Sequence, residues 1–474
     1  MKVCILLFCC MLGVQVVCAQ PEETINEIEQ AYPAYREASL THRRFKHADI
    51  LPLVQRLQQA AAVEVRELGT SIEGRAIYQI RVGSGPVKVL LWSQMHGDES
   101  TATMALFDLL NFFTAEDEFT AWKKEVLTKV SVYLIPMLNP DGAQRFTRRN
   151  RLGVDLNRDA LRLQSPEARI LKAARDRLQA DFGFNLHDQG RVYAAGRSPQ
   201  SATISVLAPA YNYEKDVNEV RANAMKLIAL MNRRLQGLIP GRVGRYNDDF
   251  EPRAFGDNIQ KWGTSTILIE SGGAPGDREK QTIRKVNFVA ILTGIHAIAN
   301  GLYEDEQLEE YERIPFNERL LFDLLIRQAT IELLDREYLV DIAINQWEVN
   351  DSSPQGFHFN GQVVEWGDLS PFYGYEEIDA SGMTAEAGKL YPRRLKNAKA
   401  LYKLDAQQLI QQGYTHIRMK KLPDPLPDTP FVLLDKQARY QPELRLGSAA
   451  HLLLKRNGEV VKVIKNGFVV WEKE

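Results

Sequence analysis

Cysteine is nearly absent from this chain of 474 residues: Cys4, Cys9, Cys10 and Cys18 are its only four, all inside the first eighteen positions. Beyond them the sequence excludes a disulfide framework and any thiolate metal site. An excess of one charge is also lacking. The formal net charge is −2, which excludes a large basic face for nucleic acid. After the amino terminus no apolar run is long enough to span a membrane. Internal repeats and low-complexity tracts are missing as well. What is present is an ordinary globular balance, 45% hydrophobic and 25% charged. The length predicts two or three domains.

Met1 to Ala19 reads as a secretory signal peptide. Lys2 supplies the positive end, Val3 to Val17 the apolar stretch, and Val17-Cys18-Ala19 precedes an expected cut before Gln20. The bulky Val17 argues against Cys18 as a lipid-anchor cysteine. A large exported chain without disulfides fits a bacterial periplasm or exterior.

Residues 20–60 are polar and helical in pattern, with Ile50 to Leu57 as the apolar seam. Strand-like runs follow at Val63–Leu68, Ala76–Val82 and Val87–Trp92, the first two spaced as a hairpin. A helix is predicted over 99–113, a strand over Val130–Pro136, and a polar, glycine-containing loop over 139–160. Ser165-Pro166-Glu167 has the signature of a helix start. Strands are predicted at Phe182–His187, Ser205–Pro209 and Thr264–Glu270. Amphipathic helices are predicted over 214–237, with Val217, Val220, Met225, Ile228 and Met231 on the apolar side, and over 278–302. Strands alternating with helices imply a mixed, largely parallel sheet covered on both faces. Near 305–315 the character changes: a helix pattern over Phe316–Arg336 leads into strands with hairpin signals at Asn457-Gly458 and Asn466-Gly467. The expected division is a signal peptide over 1–19, a catalytic α/β domain over 20–305 and a β-rich accessory domain over 306–474.

The strand Val87–Trp92 runs into Ser93-Gln94-Met95-His96-Gly97-Asp98-Glu99 and out into a helix. A parallel sheet builds ligand sites where its strands end. His96 and Glu99 offer an imidazole and a carboxylate three positions apart, a pair that zinc accepts. H-x-x-E alone is a weak motif. Here it is joined by His187 and Glu270 at the ends of two other strands. The loop after the Pro136 strand adds Asn139-Pro140-Asp141-Gly142, Arg148, and Asp155-Leu156-Asn157-Arg158.

As a set these motifs resemble the zinc carboxypeptidase family (peptidase family M14, carboxypeptidase A-like): H-G-D-E at 96–99, N-P-D-G at 139–142, V-D-L-N-R at 154–158, N-L-H-D at 185–188 and I-L-I-E-S-G-G at 267–273. The likeness covers roughly residues 45–303. It implies one Zn²⁺ per chain, held by His96, Glu99 and His187 with one position left for water. It implies Asp155 behind His96, Glu270 as general base, Arg148 beside the oxyanion, and Asn157 with Arg158 on the substrate's terminal carboxylate. Tyr246 stands nearest the place of the family's mobile tyrosine, although Phe250 lies closer in spacing. Matching Arg148-Arg149-Asn150 to the family's R-K-N segment selects Arg148 among Arg145, Arg148, Arg149 and Arg151. The loops between Glu99 and His187 are short for the family. Asp248, Asp249, Arg253, Phe255 and Asp257 fall where a side-chain pocket is expected and leave residue preference open.

The implied activity is zinc-dependent removal of carboxyl-terminal residues from peptides with a free terminal carboxylate. The alternatives are a cell-wall (murein) peptide hydrolase and an N-acyl amino acid deacylase built on the same site, and outside enzymes a binding module with structural zinc. Residues 315–474 carry no clustered ligand set. His358, His416 and His451 stand alone, and Trp347, Trp366, Tyr373 and Tyr375 suit a core or a peptide- or carbohydrate-facing surface. The last strands faintly resemble the small β-sandwich appended to amidohydrolases.

Overall fold

The computed structural model describes residues 21–350, 356–424, 426–440 and 443–473. The expected signal peptide, with every cysteine, lies outside the described residues. Two amino-terminal helices, α1 (Pro21–Tyr35) and α2 (His47–Gln58), lead into strands β1 (Val63–Thr70), β2 (Ala76–Val82) and β3 (Val87–Trp92). Helices α3 (Thr101–Thr114) and α4 (Thr120–Lys129) connect β3 to β4 (Val130–Ile135). Then come the short α5 (Pro140–Arg145), a 3₁₀ turn over Leu156–Arg158, α6 (Pro166–Leu178) and β5 (Phe182–Asp188). Strands β6 (Tyr193–Ala195) and β7 (Ile204–Leu207), helix α7 (Glu219–Leu238), strand β8 (Val243–Arg245), helix α8 (Phe255–Lys261), strand β9 (Ser265–Ser271) and helix α9 (Gln281–Asn300) complete this part.

Seven of these strands with β9 form one sheet in the order β1-β2-β4-β3-β5-β9-β7-β8. Its centre, β4-β3-β5-β9, is parallel, and β1-β2, β2-β4 and β7-β9 are antiparallel. Burial on both sides explains the near-continuous apolar strands. Val89 and Leu91 enter the core shared with α3, α7 and α9, while Leu90 and Trp92 face α6 and α8. The mixed sheet with helices on both faces is as the sequence implied. The helix start at Ser165 is also as read: its hydroxyl accepts from Ala168 N, with Pro166 at the first turn.

One buried ion pair anchors the helical face. Arg284 and Asp108 are both fully buried, with Nη2 2.5 Å from Oδ1. Asp108 also accepts from Tyr32 Oη and Glu37 N, and Arg284 donates to the Leu40 carbonyl. Charges buried this deeply persist only when every lone pair and proton finds a partner, and this network fastens α1, α3 and α9 together.

Several expectations fail. The segment 316–336 is strand rather than helix: β10 (Asn317–Arg319) and β11 (Leu321–Leu333). The run Leu324-Leu325-Ile326 looked like a helical stripe because both faces of β11 are buried, Leu324 and Ile326 in one cluster and Leu325 in another. The helix predicted from 214 begins at Glu219, capped by Asn218, and Val217 is 47% exposed rather than on its apolar side. The loop over 139–160 contains α5 and the 3₁₀ turn, and α4 had no apolar stripe to announce it, with only Lys123 and Val126 buried.

After α10 (Leu308–Glu312), strand β10 pairs with β6. Strand β11 joins β12 (Arg336–Asn350), β13 (Phe357–Gly367), β14 (Tyr373–Asp379) and β15 (Thr384–Ala387). A small parallel sheet holds β16 (Lys389–Leu390), β17 (Tyr414–Arg418) and β18 (Val432–Leu434). The chain ends in two hairpins made by β19 (His451–Arg456), β20 (Glu459–Lys465) and β21 (Phe468–Glu472), which extend the second large sheet. Both predicted turns have positive φ at both central residues, 52° and 80° at Asn457-Gly458 and 53° and 78° at Asn466-Gly467. That is the geometry two-residue hairpins prefer.

Candidate metal centre and active site

The site forms where β3, β5 and β9 end. The loop after β3 turns sharply, with Gln94 at a φ of 50°. Asn139 holds it from the neighbouring loop: its Nδ2 donates to the Met95 carbonyl, its backbone N to the Gln94 carbonyl, and its Oδ1 accepts from Gly142 N. Gly97 is required here, because a Cβ would stand 2.0 Å from the Gly142 carbonyl carbon. Asp141 of the same N-P-D-G motif is fully buried and accepts from Ser71 Oγ and Glu73 N, so it acts as scaffold.

On this platform His96 Nδ1 lies 2.7 Å from Glu99 Oε1, and His187 Nδ1 lies 2.7 Å from Glu99 Oε2. Donor atoms of the three residues lie within 4.8 Å of one another, and all three residues are buried. Two imidazole nitrogens and a carboxylate oxygen converging at that span suit a catalytic zinc, which takes three protein ligands. Asp155 Oδ1 is 3.0 Å from the other ring nitrogen of His96, Nε2. Metal-binding histidines usually have such a partner, which fixes the ring and the tautomer. Burial opposes a charge on His96, yet Glu99 and Asp155 outweigh it and raise its pKa to about 9. A cation is what this cluster of carboxylates favours.

Parallel register puts His187 and Glu270 side by side on β5 and β9. Burial and the nearby Glu99 charge push the Glu270 pKa well above the usual carboxylate range. Arg148 Nη1 stands 3.1 Å from His96 Nδ1 and 3.2 Å from Glu99 Oε1, and its Nη2 is 3.0 Å from Asp155. The other arginines of this loop turn elsewhere: Arg145 and Arg151 to Glu73, and Arg149 to the Gly153 carbonyl. Asn157 Oδ1 accepts from Phe255 N, and exposed Arg158 pairs with Glu251 at 3.2 Å. Tyr246 is half-buried. Burial, then the charge of Glu270, raises its pKa to about 12. Phe250, the rival by spacing, packs its ring on Tyr213.

Residues 52–222 match the family model described as zinc carboxypeptidase. Over this segment the chain is similar to the zinc carboxypeptidase family. Within it stand His96, Glu99, Arg148, Asp155, Asn157, Arg158 and His187, while Tyr246 and Glu270 lie beyond the match. A probable carboxypeptidase 2 of Trichophyton verrucosum is 26% identical over 133 residues, which is 27% of this chain and 25% of that protein. An uncharacterized protein of Zymomonas mobilis is 27% identical over 168 residues, 35% of this chain and 43% of its own. The chain thus matches a quarter to under a half of these relatives' lengths. Among solved structures, a metallo-carboxypeptidase from Burkholderia cenocepacia covers 54% of this chain and 70% of its own, at 18% identity and a TM-score of 0.45. Carboxypeptidase A from Helicoverpa armigera covers 59% and 81%, at 18% identity and a TM-score of 0.43.

Sequence reasoning on the zinc carboxypeptidase motifs assigned nothing to Asp188, Lys280 or Glu251. Asp188 accepts from Thr101 Oγ1 and pairs with Lys280 at 3.1 Å, fixing the turn after His187. Its place in N-L-H-D was the available signal. The pocket candidates divide sharply. Asp248 and Asp249 are both paired with Lys215, and Arg253 is paired with Glu251. Asp257 is half-buried without an ion pair among the described residues, and burial pushes its pKa up to about 7.

Proposed function

We propose that this chain is a zinc-dependent metallocarboxypeptidase that hydrolyses the last peptide bond of peptide substrates. The observation that carries it is the convergence of His96, Glu99 and His187 donor atoms within 4.8 Å, with Glu270 in register beside His187. A bound Zn²⁺ would supply Lewis-acid polarisation and lower the pKa of water near it. The chain's own residues do the rest. Asp155 holds the His96 ring. Glu270 takes a proton from the attacking water and returns it to the leaving amine. Arg148 stabilises the oxyanion of the tetrahedral intermediate. Arg158, with Asn157, receives the terminal carboxylate, since a guanidinium fork matches it in two hydrogen bonds. On this reading Glu251 holds Arg158 until substrate arrives. Tyr246 sits close enough to feel the charges of Glu270 and Arg148.

Residues 20–305 would form the catalytic domain and 306–474 an accessory domain. Export is proposed from Met1–Ala19. No helix among the described residues is long and apolar enough to cross a membrane.

The test is a peptide-library digest read by mass spectrometry, with and without chelator. Stepwise loss of carboxyl-terminal residues that stops with chelator and returns with zinc is expected. Release only from murein fragments, or only of fatty or acetyl groups from acylated amino acids, would replace this reading.

A further inference from the structure

A cavity of about 670 Å³ opens where the first module meets the β-rich module. Its lining includes Asp98, Gln189 and Gly272, which stand one to two residues along the chain from Glu99, His187 and Glu270. Asn157, Arg158, Tyr246 and Glu251 are not in its lining. The later part of the chain builds the opposite wall with Gln346 to Asn350 and Phe359. The two parts are in tight contact there. Tyr375 Oη donates to the Arg191 carbonyl, and a Cβ on Gly273 would stand 2.2 Å from that hydroxyl.

The lining itself holds five cationic side chains, Arg43, Arg44, Arg191, Arg278 and Lys280, against three carboxylates, Asp98, Asp277 and Glu348. Arg43 and Arg44 share one acid, Glu348. Arg191 takes Asp323 at 3.0 Å, and Lys280 takes Asp188 at 3.1 Å. Asp277 is spent capping α9, accepting from Gln281 N and Ile283 N. Arg278 is left without an ion pair among the described residues. It donates to the neutral Gln346 Oε1, and its guanidinium lies 4.6 Å and 4.5 Å from the Phe359 and Phe468 ring centres. Its Nη1 is buried with no hydrogen-bond partner. Burial and the adjacent Arg191 charge push its pKa down, and Asp323, Glu348 and exposed Glu376 only partly oppose them. An aromatic-backed guanidinium with an unused buried donor, beside a second guanidinium, is a receptor for a carboxylate.

We propose that Arg278, with Arg191, binds an acidic side chain of the substrate on the amino-terminal side of the cleaved bond, in a subsite whose far wall is the β-rich module. This rests on the carboxypeptidase reading. There the terminal residue lies toward Arg158, and the upstream chain leaves the metal centre through this cavity. The β-rich module then sets substrate preference without touching the reacting atoms.

The experiment scans Glu, Ala or Lys through the second to fourth residues upstream of the bond in short peptides and measures kcat/KM with the zinc-loaded full chain. At one position Glu is expected to exceed Ala about tenfold, the value of a charge-assisted hydrogen bond of about 1.5 kcal/mol. Lys is expected to fall below Ala. Arg278→Gln brings the Glu-to-Ala ratio to about one, Arg278→Lys retains part of it, and Arg278→Glu inverts the order of Glu and Lys. In the unmodified protein the ratio shrinks only in part between about 50 and 500 mM NaCl, because a partly buried pair is screened less than an exposed one. The same labelled peptides are tested by fluorescence anisotropy, which needs no turnover. If no peptide is cleaved but Glu still binds tighter through Arg278, the subsite stands and the carboxypeptidase reading falls. If Ala peptides are cleaved but no position distinguishes Glu from Ala, or the preference survives Arg278→Gln, the subsite is refuted.

Discussion

His96 and His187 face carboxylates, each with Nδ1 2.7 Å from an oxygen of Glu99. His416 and His451, in the β-rich part, face each other with ring centres 5.4 Å apart and have no acid within ion-pair distance among the described residues. All four are largely shielded from water, yet their chemistry differs. Glu99 and Asp155 overcome burial and raise the pKa of His96 to about 9, whereas burial lowers that of His187 in spite of Glu99. Burial alone lowers His416 to about 4, and burial followed by the neighbouring His416 lowers His451 to about 3. The first pair is held ready for a cation, and the second is packed as neutral rings. A buried histidine therefore signals a site only when its ring nitrogens meet anionic partners.

The contrast can be broken most sharply at Glu270. Glu270→Gln is expected to lower kcat about 10²- to 10⁴-fold while zinc content stays stoichiometric; a variant that keeps its rate removes Glu270 from the chemistry. Asp155→Asn tests the partner behind His96. It should weaken zinc binding about 10- to 100-fold in a competitive chelator titration. The corresponding change behind His416 has no counterpart, since no carboxylate among the described residues stands there.

Acid should unfold the second pair's surroundings. A histidine whose folded pKa is depressed leaves the native state neutral while the unfolded chain binds a proton below about 6.5. Stability is therefore full above that pH and falls as pH drops toward 4 and 3, by about 1.4 kcal/mol per unit for each ring. Tm followed between pH 7 and 4.5 should decline, and His416→Gln should flatten the decline. The smallest effect is expected at Glu251. Glu251→Gln releases Arg158 from its 3.2 Å partner and should change KM by only a few-fold, with kcat nearly constant.

Much of this was legible in the chain because local rules and tertiary structure agreed. Val87–Trp92 read as a buried strand, Ser165-Pro166 as a helix start and Asn457-Gly458 as a tight turn, and each element formed. The motif residues His96, Glu99, His187 and Glu270 were visible because parallel strands deliver their ends to one edge. Segment 316–336 was misread because a strand buried on both faces loses its alternation and mimics a helix. The partners of Arg158 and Arg278 were not legible. Glu251 and Gln346 meet them through loops and across the two parts of the chain, and no local pattern encodes that.

Metal stoichiometry tests the central claim most directly. Purified full-length protein, dialysed against trace zinc and measured by elemental mass spectrometry, should hold one zinc per chain, and His96→Ala and His187→Ala should each lose it while staying folded by circular dichroism. Full zinc content in either variant would contradict the account.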